Sequence, residues 1–308
     1  MPFLNLKHIL CPTDFSEPST RALRHAAALA QKTGATLKVV HVVDHGHLRV
    51  EEAYGLEPWL MTPALKNVID EQMRAFLAPL RETRVDHLTE IREGDPCREL
   101  LKASVEWSAD VVVVATKGKG MWEDLIVGSV AAKLIRRLDC SVITVSNEGA
   151  RTWEAPGLIA RVLCATDSSA SSSIALRAGL ALARRFQAES IILHVIEGPE
   201  ADASEVHYTR EQEISSPERI HYRETSGRAY AEILKVAAAE SADLIVIGDR
   251  GHSRLVHFFT GSNAERIVAA ATCPVLIVRP PVDATVEEHE IATHALALVK
   301  RGPATTPA

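Results

Sequence analysis

The sequence predicts an α/β protein built from two repeated open sheets of parallel strands, with helices on both faces of each sheet. Internal repetition is the first observation: residues 9–16 (ILCPTDFS) recur as residues 162–169 (VLCATDSS), and later landmarks such as Gly94 and Gly227 also correspond. The second observation is the alternation of short apolar runs with helical stretches. Such alternation gives parallel strands whose connecting helices cover both faces.

Composition narrows the class of protein. The 308 residues are 46% hydrophobic and 24% charged, which fits a globular chain of two domains. A net charge of −6 argues against binding to nucleic acid or to an anionic membrane. No apolar run approaches the roughly 18 residues of a membrane span, and the N-terminus lacks the features of a secretory signal. Because five cysteines imply no disulfide framework, a cytoplasmic protein with reduced thiols is expected.

The elements of the first copy follow in order. Residues 7–11 form an apolar run that ends at Pro12, as a buried strand does. A helix is expected at 17–33, with Ser16 as its N-cap and Gly34 as its C-cap. The further expectations are strands at 36–43, 85–92, 111–115 and 142–145, and helices at 62–83, from Asp95-Pro96 onward, and at 129–138.

The second copy repeats this pattern, with a second helix that is short or missing. Only residues 197–219 are available there, since the first copy holds about 20 extra residues between Val43 and Val85. Strands are expected at 161–165, 190–196, 220–223, 244–248 and 275–278, and helices at 171–186, 227–240 and 262–271. The expected domains are residues 1–147 and 158–281, followed by a tail, 282–308, in which 287–300 could form a helix.

Glycines after the fourth strand of the second copy indicate an anion site. Open α/β sheets bind ligands at the carboxyl ends of their strands, yet no G-x-G-x-x-G follows strand one and no P-loop motif occurs. Instead, Gly248-Asp249-Arg250-Gly251 is followed after nine residues by Gly261-Ser262. Bare backbone N–H groups, a helix N-terminus and the charges of Arg250 and His252 suit a polyphosphate. The alternative is that these glycines only make tight strand-to-helix turns.

The first copy keeps the spacing but loses the leading glycine. It reads Ala115-Thr116-Lys117-Gly118, then nine residues, then Gly128-Ser129. Its gap also contains Glu123 and Asp124, whose charges would oppose phosphate binding. The second copy is therefore the better candidate.

Two further pairs of residues lie at the same predicted edge. Asp14 and Asp167 end strand one of each copy, where a carboxylate could accept hydrogen bonds from ribose or from an adenine amine; the alternative is a helix N-cap. Val42 and Val195, near the end of strand two, could offer backbone groups to a base, although core packing is the stronger explanation for them.

Both halves resemble the universal stress protein family, and the whole chain resembles its tandem members. The resemblance is carried by Pro12-Thr13-Asp14-Phe15-Ser16, His41-Val42, Gly94-Asp95-Pro96 and 115–129, and by Thr166-Asp167-Ser168, His194-Val195, 248–262 and 273–278. It implies a five-stranded, Rossmann-like domain of the adenine-nucleotide α-hydrolase-like type, which binds ATP with Mg or Mn held through the phosphates. It also implies a stress-response sensor or regulator, with pairing of the last strands, 142–145 and 275–278, as an internal pseudo-dimer, and a further homodimer.

The resemblance also implies roles for individual residues. In the second copy, Asp167 would contact ribose or base and Val195 the adenine edge. The phosphates would lie on Gly248, Arg250, Gly251 and His252, with the terminal phosphates at Gly261 and Ser262. The matching positions of the weaker first site are Asp14, Val42, Lys117, Gly118, Lys119, Gly128 and Ser129.

Other chemistry receives less support from the sequence. His41, Asp44, His45 and His47 offer metal-ligand types, but a solvated loop explains them better. No dedicated nucleophile or acid–base pair is evident, so the chain is expected to be at most a slow ATPase. A further hypothesis places an apolar, lipid-like ligand in the first copy, although a helix face packed on the core explains the residues that motivate it better. Those residues are Trp59, Leu60, Met61, Leu65 and Ile69.

Overall fold

The computed structural model describes residues 6–44, 63–116, 127–146, 159–167, 169–197, 207–209, 220–249 and 262–279. The chain divides into two compact units, with the division between Leu158 and Ile159. Within the described ranges, no helix combines the length and the apolar character that crossing a bilayer requires.

The first unit is a parallel sheet in the order β3-β2-β1-β4-β5. Its elements are β1 His8–Thr13, α1 Glu17–Thr33, β2 Thr36–Val43, α2 Pro63–Phe76, β3 His87–Glu93, α3 Pro96–Glu106, β4 Val111–Ala115, α4 Ser129–Arg137 and β5 Ser141–Val145. Every residue of β4 is buried, and so are five consecutive residues of β1, so both faces of the sheet centre are covered. The predicted α/β fold class is thereby confirmed.

The second unit has the same core with one extra strand. Its elements are β6 Arg161–Thr166, α5 Ala170–Phe186, β7 Glu189–Ile196, β8 His207–Thr209, β9 Ile220–Ser226, α6 Ala229–Ala239, β10 Leu244–Gly248, α7 Ser262–Ala270 and β11 Val275–Val278. Five strands are parallel, in the order β11-β10-β6-β7-β9, and β8 lies antiparallel to β9 at the edge. The sequence analysis missed β8, because three residues of mixed polarity carry no periodic signal.

Strand β1 continues through Pro12, where the sequence analysis ended it. It pairs with β2 as far as Thr13, whereas its pairing with β4 stops at Leu10. Pro12 therefore interrupts no hydrogen bond between β1 and β4, although it has no N–H to donate. Ala165 takes this place in the second unit, and there the equivalent pairing of β6 with β10 extends one residue further, to Cys164.

Helix ends follow local chemistry. The predicted caps of α1 are confirmed: Ser16 Oγ accepts a hydrogen bond from the N–H of Ser19, and Gly34 adopts a left-handed φ of 75°. Helix α2 ends at Phe76, before the predicted residue 83, and a short 3-10 turn follows at Ala78–Leu80. Pro79 explains the early end, since it has no N–H to donate to the carbonyl oxygen of Ala75. The predicted helix at 287–300 lies outside the described residues.

Candidate functional site

The aspartates that end the first strand of each unit orient the start of the next helix. Asp14 Oδ1 accepts hydrogen bonds from the N–H of Ser16 at 3.0 Å and from the hydroxyls of Ser16 and Ser19. Asp167 Oδ1 accepts one from the N–H of Ser169 at 3.0 Å. The N-caps are Ser16 and Ser169, so the alternative that the aspartates themselves cap these helices is wrong. Each carboxylate is instead held in a fixed orientation at the carboxyl edge of its sheet.

An aromatic cluster lies at this edge of the first unit. The rings of Phe15 and His41 are tilted by 31° with centroids 4.2 Å apart, and the Phe76 ring meets Phe15 edge-on at 5.8 Å. Phe15 has a φ of 61°, uncommon for a residue with a side chain, and such strain costs on the order of 1–2 kcal/mol. Aromatic contacts of this kind contribute about 0.5–1.5 kcal/mol each and so act against this cost. His41 Nδ1 lies 2.8 Å from the carbonyl oxygen of Thr13, to which it donates.

The second unit has different chemistry at the matching place. His194 Nδ1 lies 3.3 Å from a carboxylate oxygen of Glu224. Ser168, the counterpart of Phe15, lies outside the described residues. The two repeats therefore present different surfaces where a base is predicted to lie.

The metal hypothesis and the apolar-ligand hypothesis fall mostly outside the described residues. His45, His47, Trp59, Leu60 and Met61 belong to that part of the chain. Of the rest, Ile69 is buried together with Met73 and Phe76 on one face of α2, which fits the packing explanation. In the described ranges no group of three or more His, Cys, Asp or Glu side chains could hold a metal ion.

Val42 and Val195 lie near the carboxyl ends of β2 and β7. Both side chains are buried, which fits their core-packing explanation. The next residue of β7, Ile196, is 45% exposed at the same edge. A backbone contact of Val195 with a base stays a prediction.

Gly248 ends β10 against the first turn of α5. A Cβ at this position would lie 2.5 Å from Ser171 Oγ and 2.9 Å from the Ser171 carbonyl carbon, closer than real Cβ atoms approach. Packing thus requires the glycine whether or not a ligand binds. The first unit has Ala115 and Pro18 at these two places. The alanine is therefore weaker evidence against phosphate binding in the first unit than the sequence analysis assumed.

A buried polar cluster follows Gly248. Asp249 Oδ1 accepts a hydrogen bond from Ser171 Oγ at 2.8 Å, and Arg279 Nε lies 3.9 Å from Asp249 Oδ2. The Asp249 N–H donates to the carbonyl oxygen of Val278 at 3.2 Å, which ties the end of β10 to the end of β11. The sequence analysis assigned no role to Asp249 or Arg279. The available signal was an acidic residue inside the glycine motif and a basic residue after the last strand.

In the first unit, a hydrogen bond joins the residues on either side of the glycine loop. The N–H of Gly128 donates to the carbonyl oxygen of Thr116 at 2.6 Å, and Gly128 is the N-cap of α4, which begins at Ser129. In the second unit, α7 begins at Ser262 as predicted. The remaining predicted phosphate residues lie outside the described residues: Arg250, Gly251, His252 and Gly261 in the second unit, and Lys117, Gly118 and Lys119 in the first.

A sequence profile described as the universal stress protein family matches residues 5–146, 159–219 and 201–279. The chain belongs to the universal stress protein family. Because the profile matches in both halves, this is a tandem member, as the repeat pattern predicts.

Curated universal stress proteins support this assignment. Universal stress protein MJ0531 of Methanocaldococcus jannaschii is 32% identical over 140 residues, which cover 45% of this chain and 81% of that protein. A universal stress protein of Mycolicibacterium smegmatis is 27% identical over 297 residues, covering 88% of this chain and 97% of its own. The second relative matches both repeats.

Solved structures of universal stress proteins share the fold. The one from Archaeoglobus fulgidus DSM 4304 has a TM-score of 0.67 at 20% identity and covers 92% of this chain and 99% of its own. A structure described as a putative universal stress protein, from Pseudomonas aeruginosa UCBPP-PA14, has a TM-score of 0.60 at 15% identity, covering 96% and 100%. At these identities the similarity shows the fold alone.

Proposed function

We propose that this universal stress protein binds ATP, mainly in its second repeat, and acts as a nucleotide-dependent regulator of the stress response. The nucleotide would carry a divalent ion, Mg or Mn, through its phosphates. Hydrolysis is not required for this role, because binding alone can favour one assembly state over another.

One observation carries the proposal: three predicted nucleotide-binding positions of the second unit lie at the carboxyl ends of neighbouring parallel strands. Asp167 follows β6, Val195 lies near the end of β7, and Gly248 ends β10. The chain crosses from one side of β6 to the other at this point, which is where open α/β sheets bind ligands.

Each of these residues would bind the part of the nucleotide that suits its chemistry. The Asp167 carboxylate, oriented by the Ser169 N–H, would accept hydrogen bonds from ribose or from the adenine amine. The start of α7 at Ser262 supplies backbone N–H donors and the positive end of a helix dipole for the terminal phosphates. Arg250 and His252, which lie between Gly248 and Ser262 in the sequence, would add positive charge beside the phosphates.

Isothermal titration with ATP and Mg²⁺ tests the proposal. Wild-type protein should bind about one ATP per chain with a dissociation constant in or below the low-millimolar range. Gly251→Val should abolish binding, because a side chain at this glycine of the motif blocks backbone approach to the phosphates. Gly118→Val, the same change at the matching position of the first repeat, is the control and should leave most binding in place.

Two results would contradict the proposal. The first is wild-type protein that binds no ATP in this range, and the second is loss of binding in Gly118→Val but not in Gly251→Val. A homodimer, and pairing of the two last strands within one chain, stay predictions from the family resemblance.

A further inference from the structure

Three residues that are distant in sequence meet beside the proposed phosphate end of the second unit. Ser171 lies in the first turn of α5, Asp249 follows β10, and Arg279 follows β11. Ser171 donates a hydrogen bond to one oxygen of the Asp249 carboxylate, and Arg279 lies 3.9 Å from the other oxygen. The Asp249 and Arg279 side chains are 8% and 9% exposed, so solvent screens their charges poorly.

The first repeat has no charge at these places. Thr116 stands where the second repeat has Asp249, and Ser146 stands where it has Arg279. Both the hydroxyl and the N–H of Thr116 donate to the carbonyl oxygen of Val145, at 3.3 and 2.9 Å. Neutral groups are therefore enough to hold the end of the fourth strand, and the charged pair is an addition specific to the second repeat.

We propose that Asp249 and Arg279 are a specificity-determining pair that sets how strongly the second unit favours a polyphosphate over an uncharged nucleoside. This inference rests on the proposed function. Asp249 directly follows the glycine that ends β10, so its carboxylate lies beside the start of the glycine motif. With both charges present, the pair contributes little net potential. Loss of the carboxylate leaves a cation, and loss of the guanidinium leaves an anion, each acting on the phosphates through a medium of low dielectric constant.

The test compares ATP with adenosine, which shares the base and ribose but lacks the phosphates. Asp249→Asn keeps an oxygen that can accept from Ser171, and it should tighten ATP binding by about fivefold or more. Arg279→Gln should weaken ATP binding by a similar factor. The dissociation constant of adenosine should stay within about twofold of wild type in both variants, since adenosine carries no charge.

Two further variants separate charge from packing. Asp249→Thr places the first repeat's own residue at this position and should also tighten ATP binding; it serves if Asp249→Asn folds poorly. Arg161→Gln with Glu189→Gln removes an ion pair of 3.2 Å at the opposite, amino edge of the same unit. This control should change neither dissociation constant, and thermal unfolding without ligand verifies that each variant is folded.

The outcomes separate the inference from the proposed function. Opposite changes of ATP affinity in the Asp249 and Arg279 variants, with adenosine unchanged, support the pair as a charge-based determinant. Equal changes for ATP and adenosine, or no change for either, would overturn it while leaving ATP binding intact. Wild-type protein that binds neither compound would overturn the proposed function, and this inference with it.

Discussion

Gly248→Ala tests whether helix packing, rather than a ligand, requires the glycine at the end of β10. The new Cβ would lie 2.5 Å from Ser171 Oγ and 2.9 and 3.1 Å from the Ser171 carbonyl carbon and oxygen. The hydroxyl can rotate away, but the two backbone atoms can separate from the Cβ only if α5 shifts from the sheet. Overpacking of this kind costs about 1–3 kcal/mol, so the free energy of unfolding should fall by that amount without any nucleotide.

Urea unfolding of the ligand-free protein, followed by circular dichroism, measures this change. Ala115→Gly is the converse change in the first unit, where no such clash exists; it should cost about 1–2 kcal/mol, from backbone entropy and a lost methyl group. Alanine should therefore stabilise the end of β4 and destabilise the end of β10. If Gly248→Ala unfolds at the wild-type urea concentration but no longer binds ATP, the glycine serves the ligand and the packing explanation is wrong.

Two further predictions concern titratable groups. Burial raises the pKa of the Cys164 thiol to about 12. Iodoacetamide at pH 8 should therefore modify the partly exposed Cys140 of the native protein but not Cys164, as measured by peptide mass spectrometry. Equal modification of the two cysteines would contradict this prediction. Burial opposes ionisation of Glu90, but hydrogen bonds from Lys38 and Arg92 outweigh it and lower its pKa. The stability from ionised Glu90 is present above the ordinary glutamate pKa and is lost as the pH falls through the lowered value. The stability difference between wild type and Glu90→Gln should therefore shrink between pH 7 and about pH 3 in urea titrations, and a constant difference would refute this assignment.

The sequence predicts the parts of the fold that depend on local patterns. Continuous burial of β4 follows from a run of β-branched residues, and the ends of α1 follow from Ser16 and Gly34. The tandem repeat is visible because corresponding residues recur at two offsets, 153 before the extra residues of the first copy and 133 after them. Features that depend on contact with another element could not be predicted from the local pattern. Pro12, for example, stays within β1 because the pairing with β4 has already ended at Leu10.

The sequence predicts which residues end the strands, but not every contact that these residues make. The sequence places Asp167 and Gly248 at one edge because parallel strands end together. It does not show that Ser171, on another element, requires Gly248 to lack a side chain. Nor does it pair Asp249 with Arg279, because their contact depends on the register of β10 beside β11.

The hydrogen bond between Gly128 and Thr116 has a consequence for exchanging parts between the repeats. Eleven residues separate them, yet this segment begins and ends at one point of the sheet. The second repeat has the same number of residues between Asp249 and Gly261, so exchanging the two segments would leave the entropy of loop closure nearly unchanged. Replacing residues 117–127 of the first repeat by residues 250–260 of the second would therefore transfer Arg250, Gly251 and His252 while keeping β4 and α4 of the first unit on either side.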